Sequence, residues 1–141
     1  MTTTIKDDDL FGDEHVRAYQ ETDGARGYHW RGTTILLLTT TGAKSGEPRT
    51  TPLIHRTDGD RYVVVASQGG APEHPAWFTN MQQTPEAEVQ VLGEKIPLRM
   101  TVAEGTERAR LWDAMVEAWP AYEDYRAKTD REIPVVVLEP R

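Results

Sequence analysis

Cysteine is absent from this 141-residue chain, which excludes disulfides, thiolate metal sites and cysteine nucleophiles together. No apolar run approaches the roughly 18–20 residues that a membrane-spanning helix needs. Basic residues are the minority: 16 Lys and Arg face 23 Asp and Glu, for a formal charge of −7. That balance argues against non-specific nucleic-acid binding, which rests on cations laid along phosphates. The four histidines (His15, His29, His55 and His74) show no metal-ligand spacing, so no metal site is expected. The opening "MTTTIKDDDLFGDEH" is acidic where a secretory leader would be basic and then apolar. These absences point to a soluble cytoplasmic protein. At this length a chain buries about 68–70% of its unfolded surface and needs no covalent staple. One domain over residues 1–141 is therefore expected.

What is present is punctuated by glycine and proline. Residues 1–12 read as mobile, and "DEHVRAYQETDG" (13–24) reads as a helix ended by Gly24. "TTILLLTTT" is a buried strand between Gly32 and Gly42. "RTTPLIHRT" is a second strand, in which Pro52 implies an edge or a bulge. "DGD" (58–60) is a hairpin turn leading into "RYVVVAS". Pro75 suits the first turn of a helix through "AWFTNMQQ". "EAEVQVLG" and "KIPLRMTVA" form another hairpin, and "TERARLWDAMVEAW" is the clearest helix, with Leu111, Trp112, Met115, Val116 and Trp119 on one face. Pro120 ends or kinks it, "AYEDYRAKT" adds a turn or two, and "IPVVVLEP" is a closing strand. Six strands joined mostly as antiparallel hairpins, with helices inserted, predict an α+β, mainly antiparallel barrel with peripheral helices.

Two connections are richer than a chain reversal requires. "TTTGAKSGEPRTTPL" (39–53) is locally basic: from Gly42 to Arg56 it carries Lys44, Arg49 and Arg56 against Glu47 alone. It is no P-loop, because Lys44-Ser45 precedes Gly46 and a Thr-rich strand, not a helix, follows. A glycine-rich backbone can still turn several N–H groups toward one anion, with Lys44 and Arg49 adding charge. A solvated loop fits the composition equally well. "SQGGAPEHPAW" (67–77) offers Gly69 and Gly70 before a helix N-terminus, where free N–H groups favour negative charge. A tight turn explains those glycines as readily. Ser67 could hydrogen-bond a ligand, yet no histidine and acid partner it as a nucleophile. Trp119, Tyr122 and Tyr125 recur every third residue across Pro120. Such spacing is ordinary core packing, or it lines a pocket with phenols that stay protonated near neutrality.

Five blocks in order, "LLTTTGAKSGEPRTTPL", "VVASQGGAPEHPAWFTN", "PEAEVQV", "WPAYEDY" and "TDREIPVVVLEP", resemble the deazaflavin-dependent nitroreductase family, which uses coenzyme F420. The resemblance runs from about Ile35 to Pro140 and implies a split β-barrel. It further implies that Lys44, Ser45, Arg49 and Pro52 bind the phosphate and acidic tail of the coenzyme. Ser67, Gln68, Gly69 and Gly70 correspond to the loop over the deazaflavin ring, and Pro75, Trp77 and Asn80 to the helix after it. Two departures stand out: Ala43 and Gln68 occupy positions where the family commonly has arginine and lysine.

The activity implied is hydride transfer from reduced F420 to an electron-poor acceptor, such as an activated alkene, quinone or nitroaromatic. Tyr122, Tyr125 and Ser67 are then candidates for stabilising or protonating the product anion, with Trp77 and Trp119 as apolar walls. A flavin mononucleotide-dependent reductase on the same barrel, and a non-catalytic F420 carrier, are the alternatives. Monomer and homodimer are both compatible with the sequence.

Overall fold

The computed structural model describes residues 5–141. Its strands are β1 (His29–Trp30), β2 (Thr33–Thr41), β3 (Pro48–Asp58), β4 (Arg61–Val65), β5 (Glu86–Val91), β6 (Glu94–Val102) and β7 (Val135–Pro140). All pair antiparallel, in the order β1-β2-β3-β4-β7-β6-β5, and a further pairing of β2 with β5 closes the six longer strands into a barrel. The helices are α1 (Gly12–Thr22), α2 (Ala76–Gln83), α3 (Gly105–Ala118) and α4 (Ala121–Lys128). The six expected strands are those of the barrel. The two-residue β1 is too short to leave a periodic trace in the sequence.

Covering on both faces explains the unbroken apolar runs. Leu36 and Leu38 of β2, Val64 of β4, and Val136 and Leu138 of β7 point into one core with Trp77, Phe78 and Met81 of α2. Their neighbours Val63, Val65, Val135 and Val137 face outward and meet Leu111, Trp112 and Met115 of α3. Ile35 and Leu37 face Tyr19 of α1. Successive side chains alternate across the sheet, so a strand buried on both sides must be apolar at every position. Helix α2 plugs the interior, whereas α1 and α3 shield the outside.

The barrel is split along β3. Residues Pro48–His55 pair with β2, but β3 meets β4 only over Arg56–Asp58. Pro52 lies opposite Leu37 within the stretch that has one neighbouring strand. Proline lacks the N–H that a second ladder would use, and the expected edge position follows from that.

Helix α1 is fixed to the barrel seam by Tyr19, which is fully buried. Its hydroxyl donates to the Ile35 carbonyl at 3.0 Å and accepts the Leu92 N–H at 2.8 Å. Burial pushes this phenol up to about 12, so it remains a donor at any ordinary pH. The helix closes at Thr22, earlier than the expected 24; Asp23 takes the left-handed conformation and Gly24 follows it.

The segment before α1 touches the body of the fold at several points. Residues 1–4 lie outside the described residues; of those that follow, Phe11 stays 79% exposed while others are held. Leu10 is 1% exposed and its carbonyl accepts the Trp30 indole N–H at 2.9 Å. Asp7 pairs with Arg26 at 2.9 Å, and Asp8 accepts the Arg31 amide at 2.8 Å. Two of the three consecutive aspartates, Asp7 and Asp8, thus meet arginines some twenty residues downstream.

Candidate functional site

Two hollows adjoin on the split side of the barrel, and both are lined by Thr51 and Trp77. The larger, about 900 Å³, lies between the loop after β2, the start of β3, one face of α1 and the start of α2. The loop that forms its rim folds on itself: the Gly42 N–H donates to the Glu47 carbonyl at 2.8 Å, and the Gly46 N–H to the Gly42 carbonyl at 2.9 Å. A Cβ on Gly42 would sit 2.6 Å from Ser45 Oγ and 3.1 Å from the Glu47 carbonyl, so close approach favours glycine there. Ser45 Oγ also accepts the Glu47 N–H at 3.2 Å, which gives this side chain a part in shaping the loop.

Asn80 ties that loop to α2. Its Oδ1 accepts the Ala43 N–H at 2.9 Å, and its Nδ2 donates to Thr40 Oγ1 at 3.1 Å. Both polar ends of this buried amide are engaged inside the protein. Asn80 therefore shapes the cleft wall as well as lining it.

Lys44 and Arg49 line the cleft and are exposed; the ion pairs found among the described residues engage other cations. Arg17 joins them from α1, whose Asp13, Arg17 and Gln20 share one helical face toward the cleft. Three cations against the one carboxylate of Asp13 make the hollow cationic within an anionic protein. Arg17 was not anticipated, because the polar face of an amphipathic helix reads as solvent-facing in sequence.

The smaller hollow, about 370 Å³, is chiefly apolar. Pro52, Leu53 and Ile54 of the split strand line it, together with Ser67, Gln68 and Gly69 of the loop after β4. Pro75, Trp77, Trp119, Tyr122 and Tyr125 line it as well; of the lining, Leu53, Ile54, Phe11, His15 and Trp30 were not singled out from the sequence. Trp30 stacks on Trp119 with ring centroids 5.8 Å apart, so β1 supports an aromatic wall that α4 continues. Pro75 precedes α2 as its N-cap instead of occupying the first turn.

The two tyrosines are coupled. Their rings meet edge-on at 6.0 Å, and the Trp119 indole N–H donates to the Tyr125 hydroxyl at 3.3 Å. With its oxygen accepting from Trp119, Tyr125 keeps its own proton available to the hollow. Tyr122 is 5% exposed, and burial, reinforced by Tyr125, pushes its phenol well above the usual range. It is a hydrogen-bond donor that resists ionisation. Ser67 is buried and makes no capping hydrogen bond within its turn.

Gly70 has another place. It lines neither hollow; it is buried against α4, where an added Cβ would lie 2.7 Å from the Tyr125 carbonyl and 2.9 Å from its Cα. The second glycine of the pair serves helix packing, and only Gly69 faces the hollow.

A split antiparallel barrel with a cationic cleft running into an aromatic pocket suits an anionic ligand that ends in a flat ring. Comparison with known proteins narrows it. The family model described as F420H(2)-dependent quinone reductase matches residues 12–140. The chain belongs to this family, whose enzymes are reductases drawing on reduced coenzyme F420. The F420H(2)-dependent quinone reductase Rv1261c of Mycobacterium tuberculosis is 39% identical over 131 residues, covering 90% of this chain and 88% of the relative. A solved structure of an F420-H2 dependent reductase, FDR-A, is 44% identical with a TM-score of 0.70, covering 77% of this chain and 95% of that one. A second solved structure, described only as a domain-swapped dimer, is 41% identical with a TM-score of 0.72 and covers 88% of this chain and 96% of that one.

Proposed function

We propose that this chain reduces electron-poor acceptors of the quinone, enone or nitroaromatic kind, with the F420 tail in the cationic cleft and the acceptor in the aromatic pocket. The observation that carries this reading is the junction of the two hollows at Thr51 and Trp77. A ligand with an acidic tail and a flat ring finds a cationic compartment and an apolar one in direct succession. The donor set suits such a molecule: Lys44, Arg49 and Arg17 toward the tail, Ser67 and the Gln68–Gly69 backbone beside the ring.

When bound, reduced F420 supplies the hydride, because its deazaflavin ring carries carbon where a flavin has N5. The residues of the chain do the remainder. Trp77, Trp119 and Trp30 wall the hollow with apolar rings, which would exclude water and hold a flat acceptor. Reduction leaves negative charge on an acceptor oxygen. Tyr122 and Tyr125, whose phenols line the apolar hollow, supply hydrogen bonds to that charge. Tyr125 is the more accessible of the two for giving up a proton, since it is only half-buried.

The test is a titration of the purified chain with F420 and, separately, with flavin mononucleotide, followed by acceptor screening with the reduced coenzyme. Lys44→Glu and Arg49→Glu should each weaken F420 binding about ten- to hundredfold, the loss of one charge-assisted contact. Neither should alter the melting temperature, because both side chains are exposed. Tight flavin binding without F420 binding would refute the assignment. Coenzyme binding with no acceptor turned over would leave a carrier.

A further inference from the structure

The loop after β4 carries three consecutive residues in the left-handed region: Gln68 at φ 45°, Gly69 at 63° and Gly70 at 83°. Glycine adopts that conformation freely; Gln68 does so against a steric penalty. Two short-range hydrogen bonds close the turn, from Gly70 N–H to the Ser67 carbonyl at 2.9 Å and from Ala71 N–H to the Gln68 carbonyl at 3.1 Å. What brackets the strained residues is a single distant side chain. Arg131 donates from Nη1 to the Ala66 carbonyl at 3.2 Å, from Nη2 to the Ser67 carbonyl at 2.7 Å and from Nε to the Ala71 carbonyl at 2.9 Å. Nη1 also lies 3.0 Å from His74 Nδ1, which accepts in the neutral imidazole.

We propose that Arg131 is a positioning residue for the ring-side pocket. Its guanidinium grips the backbone immediately before and after Gln68–Gly70, and so fixes the height at which Ser67, Gln68 and Gly69 face the hollow. Four acceptors in different directions require a rigid, planar set of donors. An ammonium is a point donor and cannot span them, so the shape of the fork matters beyond its charge. This inference rests on the proposed function only for the identity of the ligand; the effect on the loop stands apart from it.

The decisive variants are Arg131→Lys, which keeps the charge and loses the fork, and the double variant Arg131→Lys with Gln68→Gly, which also removes the strain. Amide hydrogen exchange reads the loop, and F420 titration reads the pocket. In Arg131→Lys, exchange at Gly70 and Ala71 should accelerate about tenfold or more while the barrel strands keep their protection. The dissociation constant for F420 should rise by about tenfold, and the double variant should recover most of both losses. A purely structural role would lower the folded fraction and leave the affinity of the folded molecules unchanged. Exchange and affinity within twofold of the parent would overturn the proposal, as would a double variant no better than the single one. Should the parent fail to bind F420, the proposed function falls, and the exchange comparison still decides the role of Arg131.

Discussion

Acidification should destabilise this protein through one histidine. His55 lies in β3 at 3% exposure, its ring 6.0 Å from Tyr28 and 5.9 Å from Tyr62, and among the described residues Nδ1 has no hydrogen-bond partner. Burial pushes its pKa down from 6.5 to about 4. Between those values the unfolded chain takes up a proton that the folded chain refuses. Stability is therefore complete above pH 6.5, falls as the pH drops toward 4, and loses no more to this group below that. The gap between 6.5 and 4, at about 1.36 kcal/mol per pH unit, is worth about 3 kcal/mol. For a chain of this size total stability is roughly 7–20 kcal/mol, so the loss is a substantial share. The assay is urea unfolding followed by tryptophan fluorescence at several pH values from 7.5 to 4, on the parent and on His55→Phe. Carboxylates titrate in both proteins and cancel in the difference. The parent should lose about 3 kcal/mol more than the variant over that range. Parallel stability curves would show that His55 is protonated in the fold, and the reasoning would fail.

Other expectations follow from packing and hydrogen bonding. Gly70→Ala should cost about 2 kcal/mol or more, because the new methyl meets the α4 backbone and the residue is held at positive φ; thermal unfolding measures it. Asn80→Ala removes two hydrogen bonds and should lower stability by about 2 kcal/mol, with a weaker hold on F420 as the 42–47 loop loosens. Tyr122→Phe should reduce the turnover number by about tenfold or more while changing the melting temperature little; unchanged turnover removes Tyr122 from the chemistry.

The barrel was legible because its strands are punctuated. Gly42, Gly59 and Gly93 sit at the ends of the runs, and covering on both faces wrote "ILLL" and "VVV" in unbroken apolar letters. The basic loop was legible as a local charge reversal. Long-range partners were not. Asp7 and Asp8 read as a solvated tail because Arg26 and Arg31 lie far along the chain. Arg131 gave no sign of gripping carbonyls sixty residues earlier, since a guanidinium bound to backbone leaves no complementary side chain to notice. Gly69 and Gly70 look alike in sequence, yet one borders a hollow and the other makes room for α4. A pair of letters does not reveal which neighbour demanded each.

The half-partnered strand has a consequence beyond the pocket. A row of backbone groups with a neighbour on one side only is a template onto which another chain could zip. Placing proline within that row, at Pro52, interrupts the template and leaves the remaining amides and carbonyls to small guests. The same gap proposed to admit a ligand is thereby made unwelcoming to a sister strand.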